Sequence, residues 1–143
     1  ALSAAAQRPH AAELLDRFTE RLIASELPLL SATLQRAGIP LTLLPARWLR
    51  SCWMDTLPWP FLLQAFLLPS LLGADMQAYL CVAALRHLLP EIKRRVHSAD
   101  LLLLLLQPLP SFNPLVWLPY MLELQRTYGP AFVETVSTSM RAP

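Results

Sequence analysis

The chain is poor in the residues from which catalytic sites and β-sheets are built. Only 15% of its 143 residues are charged, against roughly 25% in an average soluble domain. It has three glycines, too few for a set of hairpins, and no run alternates apolar and polar residues as a half-buried strand does. No glycine-rich phosphate loop occurs. The two cysteines, Cys52 and Cys81, have apolar neighbours. They are expected to be small buried hydrophobes of a reducing compartment, and neither a disulfide framework nor a metal site. His10, His87 and His97 have no carboxylate or cysteine at ligand spacing, so no metal or cofactor is expected, and His87 reads as a helix-surface residue. Ser51, Ser70 and Ser111 stand in no nucleophile elbow. Asp55 and Asp75 each abut a helix boundary, where an acid serves as a cap or dipole partner before it serves as one of a catalytic pair. No catalytic residue is assigned on this basis. The opening ALSAAAQRPHAAELL lacks a long apolar run behind a basic segment, which speaks against a secretory signal. It also lacks an initiator methionine, which reads as a fragment or a processed chain.

What the chain does have is apolar bulk, 55% of residues, punctuated by 14 prolines. Two uncharged windows, 56–74 and 101–122, approach the roughly 20 residues that span a bilayer. Pro58, Pro60 and Pro69 interrupt the first, and Pro108, Pro110, Pro114 and Pro119 the second. In lipid the carbonyls freed at so many prolines would go unpaired, so no transmembrane segment is expected. The net charge of +2 is scattered apart from one cluster, Lys93, Arg94 and Arg95, flanked by His87 and His97. Cations near a helix C-terminus account for it without a nucleic-acid or lipid partner.

Residues 1–10 read as an alanine-rich, weakly ordered lead-in, and 11–143 as a single helical lobe. From Ala11 to Glu26 the positions Leu14, Leu15, Phe18, Leu22 and Ile23 recur at helical steps and mark one buried stripe. Pro28 opens a short helix carrying Leu29, Leu30 and Leu34, and Gly38 stands where a left-handed helix end favours glycine. Pro45 opens the next helix, with Trp48, Leu49, Cys52 and Trp53 on one stripe and an expected end near Asp55. A helix from Pro60 to about Leu68 is apolar nearly all round and is expected to be buried on every side, with Pro69 and Gly73 breaking it. Asp75 then precedes a helix to about Leu89, with Met76, Tyr79, Leu80, Ala83, Ala84, Leu85 and Leu88 inward. Ser98 is an expected N-cap for a helix holding the leucines 101–106, which belong inside the assembly or under a partner. Asn113-Pro114 is expected to start a helix ending at Gly129-Pro130, with a short one from Ala131 to about Ser139 after it. Trp48, Trp53, Trp59 and Trp117 are all expected in the core. The fold class is therefore all-α, an irregular array of seven or eight helices.

The run Trp48-Leu49-Arg50-Ser51-Cys52-Trp53-Met54-Asp55-Thr56-Leu57-Pro58-Trp59 resembles a signature in the C-terminal half of TBC domains, the helical Rab GTPase-activating fold. There Trp-Phe-x-x-x-Phe precedes a Leu-Pro and an aromatic. Where that family has Trp-Asp followed by a glycine seven residues after the tryptophan, this chain has Phe66-Leu67 and Gly73. AYLCVAALRHL is similar to the apolar helix that follows, and ELPLLSATLQRAGIPL to the helix and Gly-Ile turn before it. The likeness covers about 26–106, with further C-terminal helices over 113–139.

The resemblance implies a Rab-type small GTPase as partner. It also implies a mechanism in which an arginine neutralises charge on the transferred phosphate while a glutamine positions water. Those fingers belong to an Ile-x-x-Asp-x-x-Arg and a Tyr-x-Gln motif of the N-terminal half. Asp16-Arg17-Phe18-Thr19 has threonine where the arginine belongs, and no glutamine lies two residues after Tyr79, Tyr120 or Tyr128. Two functions follow as expectations. One is the C-terminal part of a Rab GTPase activator, giving scaffold and GTPase contact but no finger, with an N-terminal lobe or other subunits over the leucines. The other is a non-catalytic interaction module in a larger complex. Either implies a cytoplasmic setting, peripheral to organelle membranes.

Overall fold

A computed structural model of the chain describes residues 2–94 and 98–141, with side chains described over 11–94 and 100–140. Among the described residues there are seven helices and no strand, as an all-α fold requires. They are α1 (Leu2–Glu26), α2 (Pro28–Arg36), α3 (Leu43–Arg50), α4 (Trp59–Leu72), α5 (Met76–Arg94), α6 (Ser98–Leu106) and α7 (Leu118–Arg141). Helix α1 starts at Leu2 and not at the expected Ala11; the side chains of 1–10 and of Ser98, and all of Arg95 and His97, lie outside the described residues, and so do the expectations for those side chains.

The other helices are arranged around α5. Every residue from Ala78 to Leu85 is buried, and α5 packs against α1, α3, α4 and α7. The stretch 78–85 is built of Ala, Cys, Val, Leu and one Tyr, small enough on two faces for neighbouring helices to approach closely. Phe18, Leu22 and Ile23 of α1 are buried as their spacing predicted. Thr19, which the apolar pattern passed over, is also buried, and its Oγ1 donates to the Leu15 carbonyl at 2.7 Å. That internal bond is what lets a hydroxyl sit in the core.

Helices α2 and α3 both end in the same hydrogen-bonded cap. After α2, Ile39 N–H donates to Leu34 O at 2.9 Å and Gly38 N–H to Gln35 O at 3.1 Å, with Gly38 at φ +74°. After α3, Trp53 N–H donates to Trp48 O at 2.9 Å and Cys52 N–H to Leu49 O at 3.2 Å, with Cys52 at φ +51° and Trp53 at +63°. Both are Schellman motifs, and each joins the residue beyond the cap to the one that starts the last turn: Ile39 with Leu34, Trp53 with Trp48. In the second motif the contact is a stacked indole pair, centroids 4.9 Å apart and 21° between planes. Two non-glycine residues in the left-handed region cost about 2–4 kcal/mol together. Burying an indole and forming two backbone bonds is worth more, about 3–5 kcal/mol for the ring. The helix therefore stops at Arg50 and not near Asp55, and Cys52 points outward, exposed, where burial was expected.

Prolines stop fewer helices than expected. Helix α4 runs through Pro69 and ends at Gly73, α5 runs through Pro90 to Arg94, and α7 runs through Gly129-Pro130, so the two expected C-terminal helices are one. An internal proline frees one carbonyl; an exposed one, as at Pro90 and Pro130, frees it beside water. Asn113 begins no helix. Its Oδ1 accepts from Leu115 N–H at 3.1 Å, a local turn that precedes α7, and Pro119 falls in the first turn of that helix.

Candidate interaction surface

Helix α4 has no charged residue and almost no polar one, and only one of its faces is buried. Leu62, Ala65 and Leu68 face the core. Trp59, Leu63, Phe66, Leu67 and Leu71 are exposed, Trp59 at 68% and Leu71 at 75%. The expectation of a helix buried on every side is thus corrected, as is that of a core Trp59. A neighbouring helix covers only a sector of such a cylinder, and α5 takes the sector with the small Ala65.

Each end of α4 is fixed by specific bonds. At its C-terminus Gly73 adopts φ +122°, and a Cβ there would lie 2.8 Å from Asp75 Oδ1. Glycine is needed both for the angle and for the room. Asp75 is buried. Tyr79 Oη donates to its Oδ2 at 2.9 Å and Gln125 Nε2 to its Oδ1 at 3.2 Å. The same Gln125 amide donates to Leu72 O at 2.9 Å, so one side chain ties the end of α4 and the start of α5 to α7. Burial and the neighbouring carboxylate push the Tyr79 phenol far above its ordinary value, keeping it a donor. Asp75 was expected as a cap or dipole partner; the bonds its carboxylate accepts come instead from the Tyr79 and Gln125 side chains. Asp55 lies exposed in the turn before α4.

Two flanks border the exposed face. On one side a half-open cleft of about 160 Å3 is lined by Leu49, Cys52, Trp53, Phe66, Ser70 and Gln77, among others. On the other, Gln64 Oε1 accepts from Leu115 N–H at 3.2 Å, setting exposed Leu115 and Val116 beside α4. The connector that carries them is held by Leu109 N–H to Thr56 O at 2.8 Å and by His87 Nε2 to Ser111 Oγ at 3.0 Å. His87 is thus a partly buried clip, its ring against Phe112 and Trp117. Burial lowers its pKa from the ordinary 6.5. In the leucine run, Leu101 and Leu105 are buried while Leu103 is exposed, and Arg47 Nη2 donates to Leu106 O at 3.2 Å at the end of α6.

The segment that fails the arginine-finger motif serves packing. Asp16 Oδ2 accepts from Arg50 Nη2 at 2.6 Å, joining α1 to α3, and Phe18 and Thr19 are buried. No group of three or more metal-ligating side chains occurs among the described residues. No described helix is long and apolar enough to cross a membrane. What sequence reasoning missed is the exposed face itself. Its only signal was that α4 is apolar with no helical period.

The all-α lobe, with its aromatic-capped turn and glycine-ended junction, is consistent with a TBC-like domain. A family model described as the Broad-minded protein Rab TBC domain matches residues 12–142, and the chain belongs to that family. Relatives include Protein broad-minded of Danio rerio, 32% identical over 112 residues, or 78% of this chain and 9% of that protein. Protein broad-minded of Mus musculus is 26% identical over 117 residues, 81% of this chain and again 9% of that protein. The chain therefore spans about a tenth of the length of these curated relatives. No solved structure matches it.

Proposed function

We propose that this chain is a protein-interaction lobe of the Rab TBC class, contributing scaffold and contact with a Rab-type small GTPase but no catalytic finger of its own. The observation that carries this reading is the exposed apolar face of α4, bordered by a cleft on one flank and the Leu115-Val116 shelf on the other. Exposed apolar area of this extent marks an interaction site on an otherwise ordinary surface. The Rab element comes from the family description, and the absence of a finger from the residues at Asp16–Thr19 and after each tyrosine. A cytoplasmic site, peripheral to organelle membranes, accompanies this reading.

The test is binding of this chain to purified GTP-loaded Rab proteins, read together with single-turnover GTP hydrolysis with this chain in excess. The expected outcome is binding of at least one GTP-loaded Rab with hydrolysis at the intrinsic rate. Stimulation abolished by a point change within this chain would reveal a finger and overturn the non-catalytic part. A second reading, an interaction module for partners other than Rab, is favoured by the exposure of Phe66-Leu67 where the family keeps Trp-Asp. Loss of all Rab binding in the same assay would select it.

A further inference from the structure

We infer that the outer face of α4 pairs with the same face of a second copy of this chain, two helices crossing about a two-fold axis that passes between Leu63 and Leu67. This rests on the reading of α4 as a docking surface and names its occupant in the free chain, a second copy that a GTPase would have to displace. Three observations carry it.

The first is the pattern. Trp59, Leu63, Leu67 and Leu71 form one continuous ridge at four-residue steps, all exposed. Ridges of this kind pack into one another at about −50°, the commonest crossing of helices in globular proteins. The row is also evenly spaced about its midpoint between Leu63 and Leu67, so a two-fold axis there sets Trp59 of one copy against Leu71 of the other and Leu63 against Leu67. A closed isologous pair needs such self-complementarity.

The second is charge. No charged residue lies between Asp55 and Asp75, so two copies of the face meet without like charges opposed. The nearest exposed charge before α4 is the acidic Asp55, which disfavours an anionic lipid surface that would call for lysine or arginine at the margin.

The third is area. With ordinary side-chain areas, the exposed parts of the ridge and Phe66 amount to roughly 600 Å2. The adjoining Leu115 and Val116 bring the face to about 800 Å2, which is what one partner contributes to a standard stable interface.

Sedimentation equilibrium of the purified chain across a wide concentration range tests this. The expected mass rises from the monomer's 16.1 kDa to twice that value and stops there. Leu67→Glu and Leu63→Lys, each at an exposed position, should each raise the dissociation constant at least tenfold with the helical circular dichroism unchanged. An equimolar mixture of those two variants should regain the dimer, because the axis sets position 63 of one copy against position 67 of the other and so opposes the introduced cation to the introduced anion. A monomer at every concentration, an open-ended series of oligomers, or a dimer indifferent to both changes would overturn the inference. Binding of an apolar fluorescent dye separates the two levels. A monomer whose dye binding is lost on Leu67→Glu keeps the docking surface without this occupant, whereas dye binding indifferent to Leu67 removes the docking reading as well.

Discussion

Helices α4 and α5 are adjacent in sequence and joined by the Gly73–Asp75 corner, yet they spend their apolar residues in opposite ways. Helix α5 carries charge at its C-terminal end and is enclosed through its first half, with Ala78 to Leu85 buried. Helix α4 carries no charge at all and leaves Trp59, Leu63, Phe66, Leu67 and Leu71 in solvent. Hydrophobicity alone therefore fails to say which helix is central. Size does better: small residues on α5 admit neighbours on several sides, whereas bulky residues ring α4 and only its Ala65 side lets α5 close in. The core is thus closed without the outer half of α4, which leaves that half available for contact with another protein.

The two tryptophans before and within α4 put this contrast in measurable form. Trp53 is buried and stacked on Trp48, while Trp59 is 68% exposed. Trp53→Ala should cost about 3–5 kcal/mol in denaturant unfolding, and Trp59→Ala no more than about 0.5 kcal/mol. Equal costs would erase the distinction between core and face. A smaller effect concerns the cap that aims Trp53. Cys52 occupies the left-handed position that glycine fills after α2, so Cys52→Gly should raise stability by about 1 kcal/mol, read as a higher denaturation midpoint with an unchanged slope. A loss of stability would mean that the thiol contributes to the cleft more than its backbone angle costs.

Much of this was legible before the coordinates. The stripe of Phe18, Leu22 and Ile23, the proline opening of α2, the left-handed Gly38 and the inward residues of α5 all follow from spacing and from the chemistry of glycine and proline. The cap at Cys52-Trp53 was not, because its signal is tertiary. Nothing in the local sequence offers glycine, and the turn exists because stacking on Trp48 outweighs the backbone strain. The ends of α4, α5 and α7 were misplaced for a related reason. Pro69, Pro90 and Pro130 each remove one backbone bond, and the packing on either side of them outweighs that loss. The open face of α4 was illegible in principle, since an all-apolar helix has no polar stripe to show which side meets water. The family signature, read from Trp48 to Trp59 and at Gly73, did point to the correct class, and its glycine proves to be the residue whose Cβ would strike Asp75.

If the outer half of α4 contributes association and not folding, the unfolding free energy of Leu67→Glu must show it. The measurement is made in urea, at a concentration where the wild-type chain is monomeric. The expected value lies within about 0.5 kcal/mol of wild type, as for a surface change. A loss of several kcal/mol would place Leu67 in the folded core and contradict the division between the two helices.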